Sequence, residues 1–248
     1  MNKNISIETF KELFDTNFAF DDNNFQCRHL GRRDEDGVIR NKDFLNARIN
    51  TASSLISVID VVGAKKILEI GTWKGYTAIA VGKYFNDKGN NDAIVHTLDI
   101  KVGGYDGGNH ADASNLNVQF GYWMPHHTIY DDWKYNDNLI YNKSFKNLTN
   151  EEIYDENLKL LNSIKPEGGY DLVFVDGDHS YEGAEYDCKY ALEVLCESGV
   201  IVFDDRQGHG SVNRFFNDIT KDKWDFSEVN QKHYQTQNVM HNFGIVFK

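Results

Sequence analysis
The sequence predicts an α/β fold built on a doubly wound, mostly parallel sheet. Three observations carry that expectation. Short apolar runs alternate along the chain with stretches of helical period. Two of the runs, Lys66–Ile70 (KILEI) and Tyr170–Asp176 (YDLVFVD), are nearly continuous, as strands buried on both faces must be. Glycine bounds these runs, and with only 2 prolines in 248 residues, Gly and Asn must punctuate the turns.

The elements follow in order. Ser6–Phe14 carries apolar residues at helical spacing, and Asp15–Arg40 is polar and irregular. Asp43–Val62 reads as a long helix whose buried stripe includes Leu55, Ile59 and Val62, with Gly63 where a C-cap belongs. Lys66–Ile70 is the first strand, Gly71–Gly75 a turn, Tyr76–Phe85 a helix and Ala93–Ile100 the second strand. Lys101–Asn136 then breaks the rhythm with Gly103, Gly104, Gly107 and Gly108, followed by an aromatic cluster of Tyr122, Trp123, Tyr130, Trp133 and Tyr135. It is too long for an ordinary connection and is expected to be an insertion after the second strand. Asn138–Phe145 is expected as the third strand, Glu151–Ile164 as a helix and Tyr170–Asp176 as the clearest strand. Tyr181–Leu195 (helix), Gly199–Asp204 (strand) and Ser211–Ile219 (helix) precede a terminal antiparallel hairpin of Trp224–Val229 and Phe243–Phe247. With no internal repeat and no linker, the parse is an N-terminal helical extension over 1–62 and one domain over 63–248 that carries the 101–136 insertion.

Composition excludes several classes. An apolar content of 40% with aromatics at 13% argues against disorder. No apolar run approaches the roughly 20 residues of a membrane span, and the first ten residues do not read as a signal peptide. Cys27, Cys188 and Cys196 are odd in number and lack CxxC spacing, so a reducing, cytoplasmic setting is expected. A net charge of −12 disfavours a nucleic-acid partner.

The segment Glu69-Ile70-Gly71-Thr72-Trp73-Lys74-Gly75 leaves a strand and opens a helix. Glycines there let the backbone turn tightly and approach a ligand. The helix start offers free N–H groups and a partial positive charge. A dinucleotide site would show GxGxxG and hold a pyrophosphate. Here the pattern is ExGxxxG, one glycine short, with an acid ending the strand, which repels phosphate and suits a cationic ligand. Asp99 closes the second strand, where an acid can accept hydrogen bonds from both hydroxyls of a ribose. Lys143-Ser144, after the expected third strand, would flank an adenine. A cationic end, a ribose and a base without phosphate describe S-adenosylmethionine. The plainer account is a bare αβ turn with a solvated acid.

A second motif points to chemistry. Val175-Asp176-Gly177-Asp178-His179-Ser180-Tyr181 leaves one strand, and Val202-Phe203-Asp204-Asp205 leaves the next. Neighbouring parallel strands lie about 4.8 Å apart, so both groups converge on the rim where open α/β sheets bind ligands. Carboxylates gathered so closely repel unless one is protonated or a cation joins them. Oxygen donors suit Mg²⁺ or another divalent cation, which makes Asp176, Asp204 and Asp205 the expected ligands. His179, an imidazole titrating near about 6.5, suits a general base for an attacking hydroxyl. The bland alternatives are N-cap roles for Asp178 and Ser180, backbone bonding by Asp176 and Asp204, and a His179 that merely caps a helix or orders Asp205.

From about Lys65 to Ser211, and through the hairpin to the C-terminus, these residues resemble the class I S-adenosylmethionine-dependent methyltransferases. The resemblance implies a Rossmann-like seven-stranded sheet of order 3-2-1-4-5-7-6. It implies a loop of Glu69, Gly71, Thr72 and Gly75 around the methionine moiety, Asp99 on the ribose, Ser144 near the adenine and Asp176 beside the cofactor. The acids are similar to those of the metal-dependent small-molecule O-methyltransferases of the catechol and caffeoyl-ester type. The strings VDGDHSYEG and GVIVFDD are closer to a branch with macrolide-sugar O-methyltransferases and proteins named as cephalosporin hydroxylases. Catechol-type enzymes carry a lysine three residues after the first metal acid; this chain has His179. The implied reaction is methylation of a hydroxyl on a small molecule, with His179 and Asp176 catalytic. Extensions of this kind in the family often meet a second subunit, which implies a homodimer.

Other residues carry weaker signals. Adjacent side chains such as His126-His127 point opposite ways in an extended segment and chelate poorly, so a surface loop is expected. Tyr122, Trp123 and Trp133 suit either a lid over an aromatic or sugar substrate or a satellite core. Arg28, Arg32 and Arg33 suit either closure over the cofactor or an anionic substrate or, more plainly, a solvated charged turn, His209 reads as a rim residue near the substrate, and Cys188 and Cys196 as core fillers. Rival functions are a nicotinamide-dependent oxidoreductase, disfavoured by the missing glycine, a non-catalytic cofactor-binding protein, and a metal-dependent hydrolase without a His-rich ligand set.

Overall fold
In the computed structural model of the protein, the described residues are 51, 52, 54–56, 58–72, 75–100, 116–124, 126, 148–206, 210–225 and 243–248. Five strands run parallel: β1 (Lys66–Ile70), β2 (Ile94–Asp99), β3 (Val118–Tyr122), β4 (Tyr170–Val175) and β5 (Leu195–Phe203). The terminal hairpin is antiparallel as expected, with β7 (Gly244–Phe247) between β5 and β6 (Lys223–Asp225). The sheet order is β3-β2-β1-β4-β5-β7-β6, the order that the sequence resemblance implies.

Helices cover both faces. The helix α1 is described over 51–62 apart from residues 53 and 57, and it ends at Gly63, whose φ of 66° is the left-handed C-cap expected there. The others are α2 (Tyr76–Asp87), α3 (Asn150–Ile164), α4 (Tyr181–Val194) and α5 (Gly210–Asp218). Alternation along β4 explains the two-sided core: Leu172 and Phe174 face α1 and α2, while Val173 and Val175 face α4 and α5. Leu55, Ile59 and Val62 of α1 belong to the first of these clusters, so this helix packs directly on the sheet. Fully burying one such side chain contributes about 1.5–3 kcal/mol, which fixes strand register before any site is built. A capping box starts α3, where Thr149 Oγ1 accepts the Glu152 N–H and Glu152 accepts the Thr149 N–H. No helix among the described residues is long and apolar enough to cross a membrane.

One element differs from expectation. The third strand is Val118–Tyr122, inside the stretch read as an insertion, whereas Asn138–Phe145 lies outside the described residues. An edge position explains why the pattern hid it. Among the described residues β3 pairs only with β2, so polar Gln119 is tolerated, and Gly121 leaves room for Leu98, whose Cδ2 would lie 2.6 Å from a Cβ there. The position after the third strand is therefore Trp123-Met124, and the reason for placing Ser144 beside an adenine falls away; Ser144 itself lies outside the described residues. Also outside them are Ser6–Phe14, the 15–40 segment with its arginines, 43–50, 101–115, 127–147 and His209.

Candidate active site
The carboxyl ends of the five parallel strands form one stepped rim. The first residue beyond β1, β3, β4 and β5 donates its N–H to a carbonyl near the end of a neighbour: Gly71 to Leu98 (2.8 Å), Trp123 to Asp99 (3.2 Å), Asp176 to Ile70 (2.8 Å) and Asp204 to Val175 (2.9 Å). Each loop thus starts from a fixed point on the sheet.

On the β1 side, Gly71 has φ 100°, a conformation that excludes other residues. A Cβ on it would fall 2.0 Å from the backbone oxygen of Asp176, so the first loop lies directly on the loop after β4. Gly75, with φ 76°, starts α2 without any side-chain cap or acid in the first turn, which leaves that end positive. Glu69 is buried, and the Thr97 hydroxyl, opposite it in the β1/β2 register, donates to its Oε2. Thr72 Oγ1 then donates to Thr97 Oγ1 at 2.6 Å, because the Thr97 proton is already committed. The chain Thr72–Thr97–Glu69 fixes a carboxylate beneath the loop. Asp99 sits half-buried at the end of β2, next along the rim.

On the β4/β5 side, Asp176, His179 and Asp205 each offer a ligand atom within 4.8 Å of the others. His179 Nε2 lies 2.9 Å from Asp205 Oδ2, both side chains being about one-third exposed (37% and 32%). Burial alone lowers the His179 pKa, but the hydrogen bond and charge of Asp205, with the charges of Asp176 and Asp178, outweigh it and leave it raised. Asp205 is the one non-glycine with positive φ among the described residues, at 56°, a strained setting that aims its carboxylate at His179. Arg206 anchors the turn from behind: it is buried, lies 3.8 Å over the Phe216 ring, and donates to Asn213 Oδ1 at 3.1 Å. Two carboxylates and an imidazole at this spacing fit a divalent cation.

Asp204 is buried, and its Oδ1 accepts the Asp205 N–H at 2.8 Å, which orders the turn beside the cluster of Asp176, His179 and Asp205. The capping alternative holds for its neighbours: Ser180 caps α4 by accepting the Gly183 N–H, and Asp178 accepts the Ser180 N–H, each at 2.9 Å.

Residues 68–206 match the sequence profile of a methyltransferase domain, more than half of the chain. The chain belongs to the methyltransferase family. Every rim residue described above falls inside the matched span, which opens one residue before Glu69 and closes at Arg206. With its strand order, the methyltransferase is of the class I, S-adenosylmethionine-dependent type. Solved structures similar to it include an O-methyltransferase from Bacillus cereus in complex with SAH, 16% identical with TM-score 0.48, covering 98% of this chain and 92% of that one. Another is the O-methyltransferase TomG from Streptomyces achromogenes, involved in tomaymycin synthesis and in complex with SAM, 17% identical with TM-score 0.49, covering 94% and 93%. The SAH-bound methyltransferase PaMTH1 from Podospora anserina is 17% identical with TM-score 0.47, covering 80% and 78%. No curated protein matches the methyltransferase sequence.

The methyltransferase also holds residues that sequence reasoning missed or misplaced. His126 is buried rather than in a surface loop: its Nε2 lies 2.8 Å from the Tyr190 hydroxyl, and its ring stacks on Tyr186 at 4.0 Å. Asn157 of α3 clamps the same segment, accepting the Met124 N–H and donating to the Met124 carbonyl, both at 2.8 Å. Trp123 packs at 5.0 Å on Tyr190 and is core, as one of its two readings had it. Thr97 and Asp187, a buried acid beneath the Asp176–His179 loop, went unnoticed. Alternation around Glu69 hints at Thr97; an Asp on the apolar face of α4 is the only signal for Asp187.

Proposed function
We propose that this methyltransferase moves a methyl group from S-adenosylmethionine to a hydroxyl of a small molecule, assisted by Mg²⁺ or another divalent cation. When bound, the donor supplies an electrophilic methyl and the ion lowers the pKa of the acceptor hydroxyl. The observation that carries the reading is the contact between the two loops, with Gly71 lying on Asp176. It supports a donor-binding turn and an acidic cluster that work side by side.

The residues divide the work. The uncapped start of α2 suits the carboxylate of the methionine moiety, and the buried charge of Glu69 suits its cationic side. Asp99 suits the ribose hydroxyls. Asp176 and Asp205 would hold the ion. His179, held by Asp205, would take the hydroxyl proton. The rim holds these groups in place beforehand, so alignment supplies much of the rate. A second reading, favoured by the three-residue cluster, makes His179 Nε2 a third ligand. The net charge of −12 supports a small-molecule acceptor over nucleic acid, and the free thiols Cys188 and Cys196 support a cytoplasmic setting.

Calorimetric titration with S-adenosylhomocysteine, followed by labelled-methyl transfer to catechol and sugar hydroxyls with and without chelator, tests the proposal. Absence of binding at millimolar ligand rejects the donor. Full turnover in excess chelator rejects the ion alone. Transfer to nitrogen or carbon acceptors only would reject the hydroxyl chemistry.

A further inference from the structure
The loop between β4 and α4 rests on one face of α4. Gly183 and Asp187 stand four residues apart, one helical turn, and so point the same way. At the first contact, a Cβ on Gly183 would fall 2.2 Å from the Asp178 carboxyl. At the second, a Cβ on Gly177 would fall 2.6 Å from Asp187 Oδ2, the same oxygen that accepts the Asp178 N–H at 3.4 Å. The loop backbone at Gly177 and Asp178 is thus seated on a carboxyl group, with Asp176 on one side and His179 on the other.

We propose that Asp187 is a positioning residue for the Asp176–His179 loop, a buried acceptor on which the loop backbone is fixed so that both side chains reach the rim. This deepens the reading above and rests on it for the role of the loop. Packing alone does not account for an acid here, since an apolar side chain fills such a site without the cost of desolvating a carboxyl. Asp187 is 4% exposed, and burial, with the nearby charge of Asp178, drives its pKa well above the usual carboxylate range. The Asp178 N–H needs only an acceptor oxygen there, so an amide of the same shape can replace the acid.

Amide hydrogen exchange and Mn²⁺ binding, measured on the full chain, test this. In Asp187→Ala the Asp178 amide should exchange about tenfold faster, the size of one lost hydrogen bond. The Val173 and Phe174 amides of β4 should keep their rates, and the melting temperature should hold or rise. Mn²⁺, followed by electron paramagnetic resonance, should bind about tenfold more weakly, while S-adenosylhomocysteine affinity is unchanged. Asp187→Asn should restore both exchange and Mn²⁺ affinity. Unchanged Asp178 exchange in the alanine variant, equal acceleration throughout β4, or failure of the asparagine to rescue would each overturn the proposal. Should the alanine variant not fold, Asp187→Leu repeats the comparison. If the parent protein binds no Mn²⁺, the metal reading fails, and the exchange comparison still decides Asp187.

Discussion
Gly71→Ala is the most informative single change, because its consequence can be worked from the structure. The new methyl would lie 2.0 Å from the Asp176 oxygen, 2.4 Å from its carbonyl carbon and 2.9 Å from Gly177 Cα, where ordinary contact begins at 3.4 Å. The two loops must part by about 1.4 Å, and all three contacts are backbone, so no rotamer can absorb it. A φ of 100° adds strain of its own. Overpacking of this kind typically costs about 1–3 kcal/mol and a forced positive φ about 1 kcal/mol more. The expected total of about 2–4 kcal/mol corresponds to about a 30- to 700-fold loss if it falls on binding. Calorimetry with S-adenosylhomocysteine and with Mn²⁺, together with a thermal melt, reads both destinations of that energy. If the loops open, both ligands weaken; if the fold holds them, the melting temperature drops. Affinities within about threefold of the parent and a melt within about 2 °C would refute the packing argument.

Two further changes probe other links. Asn157→Ala removes three hydrogen bonds, two to Met124 and one to Tyr190, and leaves the half-buried Met124 backbone groups without them. A loss of about 3 kcal/mol is expected, or roughly 6–12 °C in a thermal melt; a change under about 1 kcal/mol would mean that water replaces the clamp. The His179–Asp205 pair gives a pH signature in the metal-free protein. Because the folded pKa of His179 is raised above its unfolded value of about 6.5, the stabilisation is complete below about pH 6.5 and is lost as pH rises through the folded pKa. Urea midpoints should fall between about pH 6 and about pH 9 in the parent and less so in Asp205→Asn; parallel slopes would deny the pair any role.

The sheet was legible where burial leaves a strong pattern. The bounds of β1 and β4 and the starts of α2 and α4 follow from continuous apolar runs, glycine turns and the Ser180 cap. β3 was not, because an edge strand with one neighbour needs no unbroken apolar run, and Gln119 and Gly121 interrupt it. The same principle governs the site. Strand ends fix where Glu69, Asp176, Asp204 and Asp205 sit, so their place on the rim can be read, while backbone bonding by Asp204 stood only as an alternative until the structure showed its Oδ1 accepting the next amide. Asn157, Asp187 and His126 act through partners distant in sequence, and only register and helix phase bring Met124, Asp178 and Tyr190 to them.

The linked amides beyond β1, β3, β4 and β5 have a consequence for how such a protein changes over evolutionary time. A slip of one residue between β1 and β4 would shift Asp176 along the strand axis by about 3.3 Å and turn every side chain of one strand to the opposite face. Neither half of the rim can therefore be retuned by sliding a strand, and mutations there are tolerated only when they keep all the junctions. Freedom to accept new substrates is left to chain that these junctions do not hold, so lineages sharing this rim can diverge in what they modify while keeping how they modify it.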